Sequence, residues 1–328
     1  MAHDGRVTVD LDSLLATARV FAIPLVERFR GITVREGLLL HGVAGWAEFA
    51  PFRDYSDVEC VPWLRSAIEA ATLPWPERLR DRIEVNTTVP VVPEERAAEL
   101  VGTSGCRTAK VKVADPRVDL AADARRVEAV RDALGPGGRI RVDANGAWTV
   151  PQAVDAIEVL AAAAGGLEYV EQPCRTLTEL AEVRRLTGVP IAADESIRRA
   201  TDPAKVALAG AADIAVIKVA PLGGVRSALR IAASAGMPVV VSSAVDSSVG
   251  LAAGLALAAA LPELPYACGL GTASLLADDV TTAALQPING FIQVPARSPE
   301  PDRYEYARAD RPTTRYWLDR LERVVALI

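Results

Sequence analysis

Lysine and carboxylate side chains recur at the ends of successive apolar runs of this chain. The residues are Lys110 and Lys112 in "TAKVKVA", Asp143 in "RIRVDANG", Glu171 in "LEYVEQP", Asp194 in "VPIAADES" and Lys218 in "ADIAVIKVAPLGG". Three carboxylates that converge on one pocket repel one another unless a cation lies among them. Oxygen ligands with no His or Cys nearby suit a hard ion such as Mg²⁺, with Mn²⁺ as an alternative. If the runs share one end, Asp143, Glu171 and Asp194 are therefore candidate metal ligands.

The lysines belong to the same pattern. A strand alternates its side chains between two faces, so Lys110 and Lys112 point to one face while Val111 and Val113 point to the other. A divalent cation held by three carboxylates leaves the site negative, and an anionic substrate adds to that charge. We therefore expect Lys110, Lys112 and Lys218 to offset the negative charge of the site.

Each of these residues alone has a simpler interpretation. Asp143 in "DAN" and Asp194 in "DES" could cap the helices that follow them, and an isolated lysine is usually a solvated surface charge. The joint pattern, in which successive runs all end in such a residue, favours one shared site over a set of coincidences.

One strand-like run and one helix-like segment alternate about every 25 residues, which is the period of a (β/α)8 barrel. The runs are rich in Val, Ile and Ala, as expected for parallel strands covered on both faces. The helix-like segment 150–164 has Thr149 as a candidate cap and ends at Gly165. "RIEVNTTVP" supplies the first strand and "PYACGLGT" the eighth. The C-terminal strand ends of such a barrel face one mouth, which would bring the lysines and carboxylates together.

The chain before the barrel has a different pattern. "TVREGLLLHGVAGWAEFAPF" reads as two strands joined by a hairpin at "HGVAG", and "DVECVPWLRSAIEAATL" reads as a helix. We predict an α/β protein in which an α+β capping domain (1–82) precedes the barrel (83–284). The C-terminal segment (285–328) is expected to pack back on the capping domain.

Composition and charge exclude several classes of protein. The net charge of −6, with no long basic block, argues against a nucleic-acid partner. The longest apolar run, 249–261, is too short to span a bilayer and predicts a packed helix. The N-terminus lacks the layout of a signal peptide, and the four cysteines are scattered, which favours reduced thiols and a cytoplasmic location. The expected partner is a small-molecule carboxylate, and the sequence leaves the oligomeric state open.

The motifs "KVK" (110–112), "DANGAW" (143–148), "EQP" (171–173), "DES" (194–196) and "IKVAPLGG" (217–224) resemble those of the enolase superfamily, in its muconate-lactonizing-enzyme subgroup. The resemblance covers nearly the whole chain and implies a modified TIM barrel with an α+β capping domain. It implies that Asp143, Glu171 and Asp194 bind Mg²⁺. It also implies that Lys112 and Lys218 flank the substrate as acid/base groups.

Other stretches narrow the resemblance within the subgroup. "VVVSSAVDSSVGLAAG" and "ACGLGTASLLADDV" resemble the dehydratases of menaquinone biosynthesis, and "RFRGITVREGLLL" and "GWAEFAPF" resemble the actinobacterial form. Such an enzyme removes water from a succinyl-hydroxycyclohexadiene carboxylate. N-acylamino acid racemases, dipeptide epimerases and muconate cycloisomerases of the subgroup remain alternatives, and a non-catalytic barrel is a remote one. Sugar-acid dehydratases are disfavoured, because they generally rely on a barrel histidine and no histidine follows His41.

The resemblance also implies roles for individual residues. Lys112 would remove the α-proton, Lys218 would stabilise the developing negative charge, and Lys110 would lower the pKa of Lys112. Asn145 is a candidate for the metal's outer sphere or for a helix cap. Four residues at the ends of the last two barrel strands could hold the substrate's second carboxylate through hydroxyl or backbone N–H groups: Ser242, Ser243, Gly269 and Gly271. The capping loop around Phe21–Gly31, which would help select the substrate, is expected to be short.

Overall fold

The computed structural model describes residues 11–198 and 210–328. The strands are β1 Arg19–Phe29, β2 Ile32–Gly42, β3 Gly45–Phe49, β4 Arg82–Glu84, β5 Thr87–Val89, β6 Thr108–Lys112, β7 Arg139–Asp143, β8 Tyr169–Glu171, β9 Ile191–Ala193, β10 Ile214–Ile217, β11 Val239–Val241 and β12 Phe291–Gln293. The helices are α1 Leu11–Leu15, α2 Asp57–Thr72, α3 Glu94–Ser104, α4 Leu120–Leu134, α5 Val150–Ala164, α6 Leu177–Leu186, α7 Glu195–Arg198, α8 Val225–Ser234, α9 Ser248–Ala260, α10 Tyr304–Ala307 and α11 Arg311–Val325.

The N-terminal sheet is antiparallel, in the order β1-β2-β3. The predicted hairpin joins β2 to β3, whose last pair is Gly42 with Gly45. The capping loop expected around Phe21–Gly31 is short, as predicted, but its placement is wrong, because β1 continues to Phe29 and only Arg30 and Gly31 form the turn. Both turn residues have positive φ, +49° for Arg30 and +82° for Gly31. Such angles suit a two-residue hairpin turn, and they leave the Arg30 side chain at its tip.

Helix α2 covers this sheet and receives the C-terminal segment. Trp63 and Leu64 of α2 share one buried cluster with Trp317 and Leu321 of α11. The Ser56 side chain caps α2, with a reciprocal bond from its backbone N–H to Glu59. Packing of the tail on the capping domain therefore agrees with the expectation, while the domain boundaries at 82 and 284 stay predictions.

A parallel sheet in the order β11-β10-β9-β8-β7-β6-β5 forms the barrel wall in the described part of the chain. Its two ends are joined by the segment Cys268–Gly269. The Asn86 N–H donates to the Cys268 carbonyl over 2.9 Å, and the Gly269 N–H donates to the Val241 carbonyl over 2.8 Å. The predicted first strand is present, whereas the predicted eighth strand is reduced to these bridging residues.

The barrel helix α5 begins at the capping residue and ends at the glycine that the sequence predicted. Helix α5 begins after Thr149 and ends at Gly165, and α4 ends at Gly135; both glycines have positive φ. Helix α9 contains most of the longest apolar run and is buried along nearly its whole length. Among the residues described, no helix combines the length and apolar character that crossing a bilayer requires.

The four cysteines are free thiols in the interior: Cys60, Cys106, Cys174 and Cys268. This agrees with the expected reduced state. Burial is the largest influence on each thiol, and it raises the pKa of Cys268 to about 12. These thiols are therefore packing groups rather than nucleophiles.

Candidate active site

The predicted lysines and carboxylates lie at the C-terminal ends of five neighbouring strands, β6 to β10. Lys112 is the register partner of Asp143, and Asp143 is the partner of Glu171. Asp194 directly follows β9, and Lys218 directly follows β10. The register of a parallel sheet thus places three carboxylates side by side with a lysine on each flank. This juxtaposition is the one that the spacing of the runs predicted.

Lys110 lies deeper in the barrel than Lys112. Its Nζ is 2.8 Å from Glu171 Oε1 and 2.9 Å from Asp143 Oδ2, and 7% of its side chain is exposed. Burial disfavours its charge, but the two adjacent carboxylates outweigh burial, so the pKa of Lys110 lies well above its ordinary value. Lys110 is therefore a fixed positive charge beneath the site.

Lys112 has a different environment on the same strand face. Its Nζ lies 2.5 Å from Asp143 Oδ2 and 2.8 Å from Asn145 Oδ1. Its Nζ also lies 5.3 Å from the centroid of the Phe29 ring, which belongs to the capping domain. Burial, together with the charge of Lys110, lowers the pKa of Lys112 despite the attraction of Asp143. Of the two lysines, Lys112 is thus the one whose environment favours a neutral amine.

Asn145 connects Lys112 to the next loop. Its backbone φ is +48°, and its side-chain Nδ2 donates to Glu195 Oε1 over 3.4 Å. The alternative of a helix cap is wrong, because Thr149 is the cap of α5. Asn145 instead orients the Lys112 ammonium group through its amide oxygen. A place in the outer sphere of a metal ion stays a prediction.

Lys218 lies on the opposite side of the three carboxylates from Lys112. Its ammonium group forms a short ion pair with Asp194 Oδ2, and 14% of its side chain is exposed. Lys112 and Lys218 therefore reach the cavity from two sides of the three carboxylates.

The carboxylates of Asp143, Glu171 and Asp194 are almost fully buried, with 0%, 1% and 1% exposure. Burial alone would raise the pKa of Asp143, but Lys110 and Lys112 hold it far below its ordinary value. For Glu171, burial and the neighbouring Asp143 charge prevail and raise the pKa to about 7. So much buried negative charge is stable only with positive charge beside it.

The donor chemistry suits a hard divalent cation. All three donors are carboxylates from adjacent strands, the set that Mg²⁺ prefers over softer metals. Within residues 11–198 and 210–328, no three acidic, His or Cys side chains stand as a ready metal cage. Lysine ammonium groups lie against all three carboxylates and supply positive charge to them. The metal ligands themselves stay a prediction.

A cavity of about 570 Å³, including its open mouth, lies above the lysines. The barrel supplies its floor through Lys110, Lys112 and Lys218. The capping domain supplies its roof through Phe29, Arg30, Phe52, Tyr55 and Trp63. A mostly aromatic roof over a cationic floor suits an organic anion with an apolar body.

Arg30 is the cation of the roof. Its guanidinium lies 3.9 Å from the centroid of the Phe52 ring, and one of its nitrogens donates to the Tyr55 hydroxyl over 3.3 Å. Asp54 lies 3.7 Å away at the exposed side. Stacking on an aromatic ring holds the guanidinium in place and leaves N–H groups for a carboxylate.

The four candidate substrate-binding residues at the last strands differ in what they can offer. The backbone N–H groups of Ser242, Ser243 and Gly269 donate to barrel carbonyls and close the wall. Ser242, Ser243 and Gly269 line the cavity, whereas a Cβ on Gly271 would lie 2.5 Å from the Asn86 carbonyl oxygen in the wall. The Ser243 hydroxyl lies 2.5 Å from the Thr272 hydroxyl. The Ser243 hydroxyl can donate to an anion in the cavity when the Thr272 hydroxyl is the donor of the bond between them.

Sequence reasoning missed the residues of the roof. Arg30, Phe52 and Tyr55 lie far in sequence from the strand-end motifs, and only domain docking brings them to the cavity. A signal was present in "RFRGI", because a glycine after an arginine between two strand-like runs marks a hairpin tip.

Comparisons with known proteins agree with this architecture. Residues 20–71 match the family described as "Enolase N-terminal domain-like". Residues 93–299 match the family described as "Enolase C-terminal domain-like".

The chain is also similar to characterised bacterial enzymes. The o-succinylbenzoate synthase of Thermobifida fusca is 62% identical over 278 residues, covering 85% of this chain and 87% of that protein. The o-succinylbenzoate synthase of Mycolicibacterium smegmatis is 52% identical over 319 residues, covering 97% and 98%.

Solved structures share the fold at lower identity. The L-Ala-D/L-Glu epimerase of Bacillus subtilis superposes with a TM-score of 0.75 at 24% identity, covering 87% of this chain and 96% of that one. The muconate lactonizing enzyme of Pseudomonas putida superposes with a TM-score of 0.72 at 21% identity, covering 89% and 98%. These two likenesses concern the fold alone.

Proposed function

Because this chain belongs to the enolase superfamily, and within it to the family of the o-succinylbenzoate synthases, we propose that it catalyses the dehydration those enzymes are named for. The substrate is 2-succinyl-6-hydroxy-2,4-cyclohexadiene-1-carboxylate, and the product is o-succinylbenzoate, an intermediate of menaquinone biosynthesis. The reaction removes the proton α to the ring carboxylate and the neighbouring hydroxyl as water. The ring becomes aromatic.

The observation that carries the proposal is the placement of Lys112 and Lys218 on opposite flanks of three buried carboxylates. A proton α to a carboxylate is weakly acidic, so its removal needs a positioned base and stabilisation of the charge that forms. With a lysine on each side of the bound anion, one lysine supplies the base and the other supplies the stabilising positive charge.

Lys112 is assigned as the base. Its lowered pKa favours a neutral amine, and Asn145 directs its Nζ. The Nζ accepts the α-proton, and the same ammonium group then protonates the departing hydroxyl, so no other proton donor is needed. Lys218 stays paired with Asp194 and faces the negative charge that develops on the carboxylate. Preorganised charge of this kind is worth about 10²–10³ in rate.

Asp143, Glu171 and Asp194 would hold Mg²⁺, or Mn²⁺ in its place. A bound divalent cation supplies Lewis-acid stabilisation of the charge that develops on the substrate carboxylate. A solved structure that shares this fold, a dipeptide epimerase from Enterococcus faecalis, is complexed with Mg and a dipeptide. Lys110 remains beneath the carboxylates as a fixed charge.

The second carboxylate of the substrate is assigned to the roof. Arg30 lies across the cavity from the lysines and presents its guanidinium from the stacked rings of Phe52 and Tyr55. A guanidinium binds a carboxylate through two parallel hydrogen bonds. The Ser243 hydroxyl is the second candidate partner on the barrel side.

The alternatives are a racemase, an epimerase or a cycloisomerase on the same fold. A racemase needs proton transfer at both lysines, whereas the dehydration needs it at Lys112 alone. Lys218→Arg keeps the positive charge and tests the difference. We expect o-succinylbenzoate formation to survive better in this variant than α-proton exchange of an N-acylamino acid at the Lys218 face, followed by NMR in D₂O.

Equal loss of the two activities in Lys218→Arg would argue against the one-base scheme and for a racemase. A non-catalytic barrel would show neither activity, and calorimetric titration would find no Mg²⁺ binding.

A further inference from the structure

The turn between β11 and α9 has a strained backbone at the edge of the active-site cavity. Val245 has a φ of +62°, a conformation in which a β-branched residue is an outlier. Val245 is 2% exposed, and it lines the cavity together with Ser243 and Ala244. Strain of this kind persists only where surrounding contacts over-determine the backbone, and it concentrates at functional sites.

Two capping-domain side chains supply those contacts from outside the barrel. Arg35 of β2 donates from Nε to the Val245 carbonyl over 3.0 Å. Glu48 of β3 accepts from the Ser247 backbone N–H over 3.0 Å and from the Ser247 hydroxyl in a shorter bond, both at Oε2. The carbonyl of the strained residue and the helix end two residues later are therefore both held by another domain.

Hydrogen bonds within the turn connect the restrained Val245 backbone to the Ser243 side chain. The Val245 N–H donates to the Ser243 hydroxyl oxygen over 3.2 Å, and the Ala244 N–H donates to Asp246 Oδ2 over 3.1 Å. A shift of Val245 would therefore move the hydroxyl that faces the cavity.

Glu48 also binds the N-terminal end of helix α9, which has no side-chain capping bond of its own. The N-cap of α9 is Ser247, whose side chain makes no capping bond within its own helix. The Glu48 carboxyl group binds this helix end from the neighbouring domain through the two bonds from Ser247. Glu48 is 8% exposed, and its second oxygen, Oε1, has no hydrogen-bond partner in the described part of the chain. Glu48, Ser242 and Lys218 line an adjoining cavity, whose enclosed space of about 30 Å³, against about 50 Å³ for the cavity above the lysines, is room for an ordered water.

We propose that Glu48 and Arg35 are positioning residues for the dehydration, holding the turn Ser243–Ser247 in the strained shape that presents Ser243 and the Lys218 side of the cavity to the substrate. This proposal rests on the proposed function. It makes the capping domain part of the barrel wall, because a barrel without Glu48 and Arg35 would relax at Val245.

The test compares Glu48→Ala with Glu48→Gln and with a matched control. Glu69 is a second capping-domain carboxylate at a barrel helix: its Oε1 accepts from the Arg226 N–H at the start of α8 over 3.1 Å. Neither Glu69 nor Arg226 lines the substrate cavity. Glu69→Ala therefore removes the same kind of interdomain bond without reaching the turn.

We expect Glu48→Ala to raise KM for the cyclohexadiene substrate by about tenfold or more, with a smaller loss in kcat, because misplaced binding groups cost affinity at the site. Glu48→Gln keeps the acceptor oxygen and should restore KM to within about threefold of wild type. Glu69→Ala should leave both constants within about twofold, although both alanine variants lower Tm.

A KM in Glu48→Ala that matches Glu69→Ala would overturn the positioning role while leaving the proposed function intact. Wild-type protein without turnover would overturn both, so the two failures are distinguishable. If Glu48→Ala does not fold, Ser247→Ala removes one of the two bonds to Glu48, and an unchanged KM there would count against the role. A raised KM in Ser247→Ala would support it.

Discussion

At the residue scale, the two lysines of one strand divide their roles through the acids each one contacts. Lys110 contacts both Glu171 and Asp143 and stays charged, whereas Lys112 contacts Asp143 alone among these acids and has a lowered pKa. The spacing of two residues places both on one face, and the depth of each along the strand is the reason that Lys112, and not Lys110, is the proposed base. Asn145, two residues beyond Asp143, completes the placement of Lys112.

Arg30 gives the first prediction at this scale. Arg30→Met should raise KM for the dehydration substrate by about 10- to 100-fold, since a hydrogen-bonded ion pair with the second carboxylate is worth about 1.5–3 kcal/mol. The effect on kcat should be smaller, because the reacting carbon lies at the lysines. Steady-state kinetics measures both constants.

Arg28→Met is the matched control for Arg30. Arg28 lies two residues earlier on β1, is exposed and does not line the cavity. The substitution Arg28→Met removes the same charge as Arg30→Met and should leave KM near the wild-type value. Equal effects of the two substitutions would mean that general electrostatic attraction, and not a bond from Arg30, binds the substrate.

Glu48 gives the second prediction. Burial and the Asp246 carboxylate raise the pKa of Glu48 to about 8, although Arg35 opposes this, and Lys218 lines the same small cavity. The native protein therefore binds a proton at pH 5–8 that the unfolded chain releases above its ordinary pKa of 4.5. This contribution to the free energy of unfolding is complete below the unfolded pKa and is lost as the pH rises through about 8.

Urea unfolding of wild type and Glu48→Gln at several pH values measures the effect. We expect the free energy of unfolding of wild type, relative to Glu48→Gln, to fall between pH 5 and pH 9. A difference that stays constant or rises with pH would contradict the raised pKa.

Individual site residues differed in how far the sequence could predict them. The residues of "KVK", "DAN", "EQP", "DES" and "IKV" were found because strand alternation and strand ends fix where such side chains point. Arg30 and Glu48 were not assigned, because their roles depend on the docking of one domain on another. Gly269 offered a backbone N–H from sequence, yet closing the barrel wall already uses that donor.

At the scale of elements, the strands and helices bring distant residues to one place. Parallel register aligns Lys112, Asp143 and Glu171 across three strands. The helices were predictable from caps and glycines, whereas the eighth strand is reduced to a bridge of Cys268 with Val85 and a bridge of Gly269 with Ser242. Strand β1 was misread as a loop, although the arginine and glycine of "RFRGI" mark the tight turn through which β1 pairs with β2.

Helix α9 provides a prediction at this scale, because two of its glycines allow close packing. A Cβ on Gly250 would lie 2.8 Å from Glu48 Cδ and 3.0 Å from Asp246 Cβ. Gly250→Ala should therefore cost about 1–3 kcal/mol of unfolding free energy, as overpacked sites do. Denaturant titration measures it.

Gly102 is the control, since it lies in helix α3 with no atom within 4 Å of an added Cβ. Gly102→Ala should stabilise the protein by about 0.5–1 kcal/mol. A neutral result for Gly250→Ala, with Gly102→Ala stabilising as expected, would mean that Glu48 moves freely and does not clamp the turn.

At the scale of the whole molecule, two domains build one cavity. The barrel contributes the charges that perform chemistry, and the capping domain contributes the aromatic roof and Arg30. The capping domain also binds the barrel through hydrogen bonds to Glu48 and Glu69, each from the start of a barrel helix. In the proposed mechanism, chemistry and substrate selection thus reside in different domains, an arrangement that lets one fold serve several reactions.

In the proposed mechanism, this cavity performs a metal-dependent dehydration with Lys112 as base. The most direct measurement is the rate of o-succinylbenzoate formation, followed by ultraviolet absorbance, for wild type and Lys112→Ala with EDTA and after Mg²⁺ is restored. We predict saturable turnover by wild type that EDTA abolishes and Mg²⁺ restores, and a loss of at least about 10²–10⁴-fold in Lys112→Ala. Turnover that is unaffected by EDTA, or that survives in Lys112→Ala, would contradict the account.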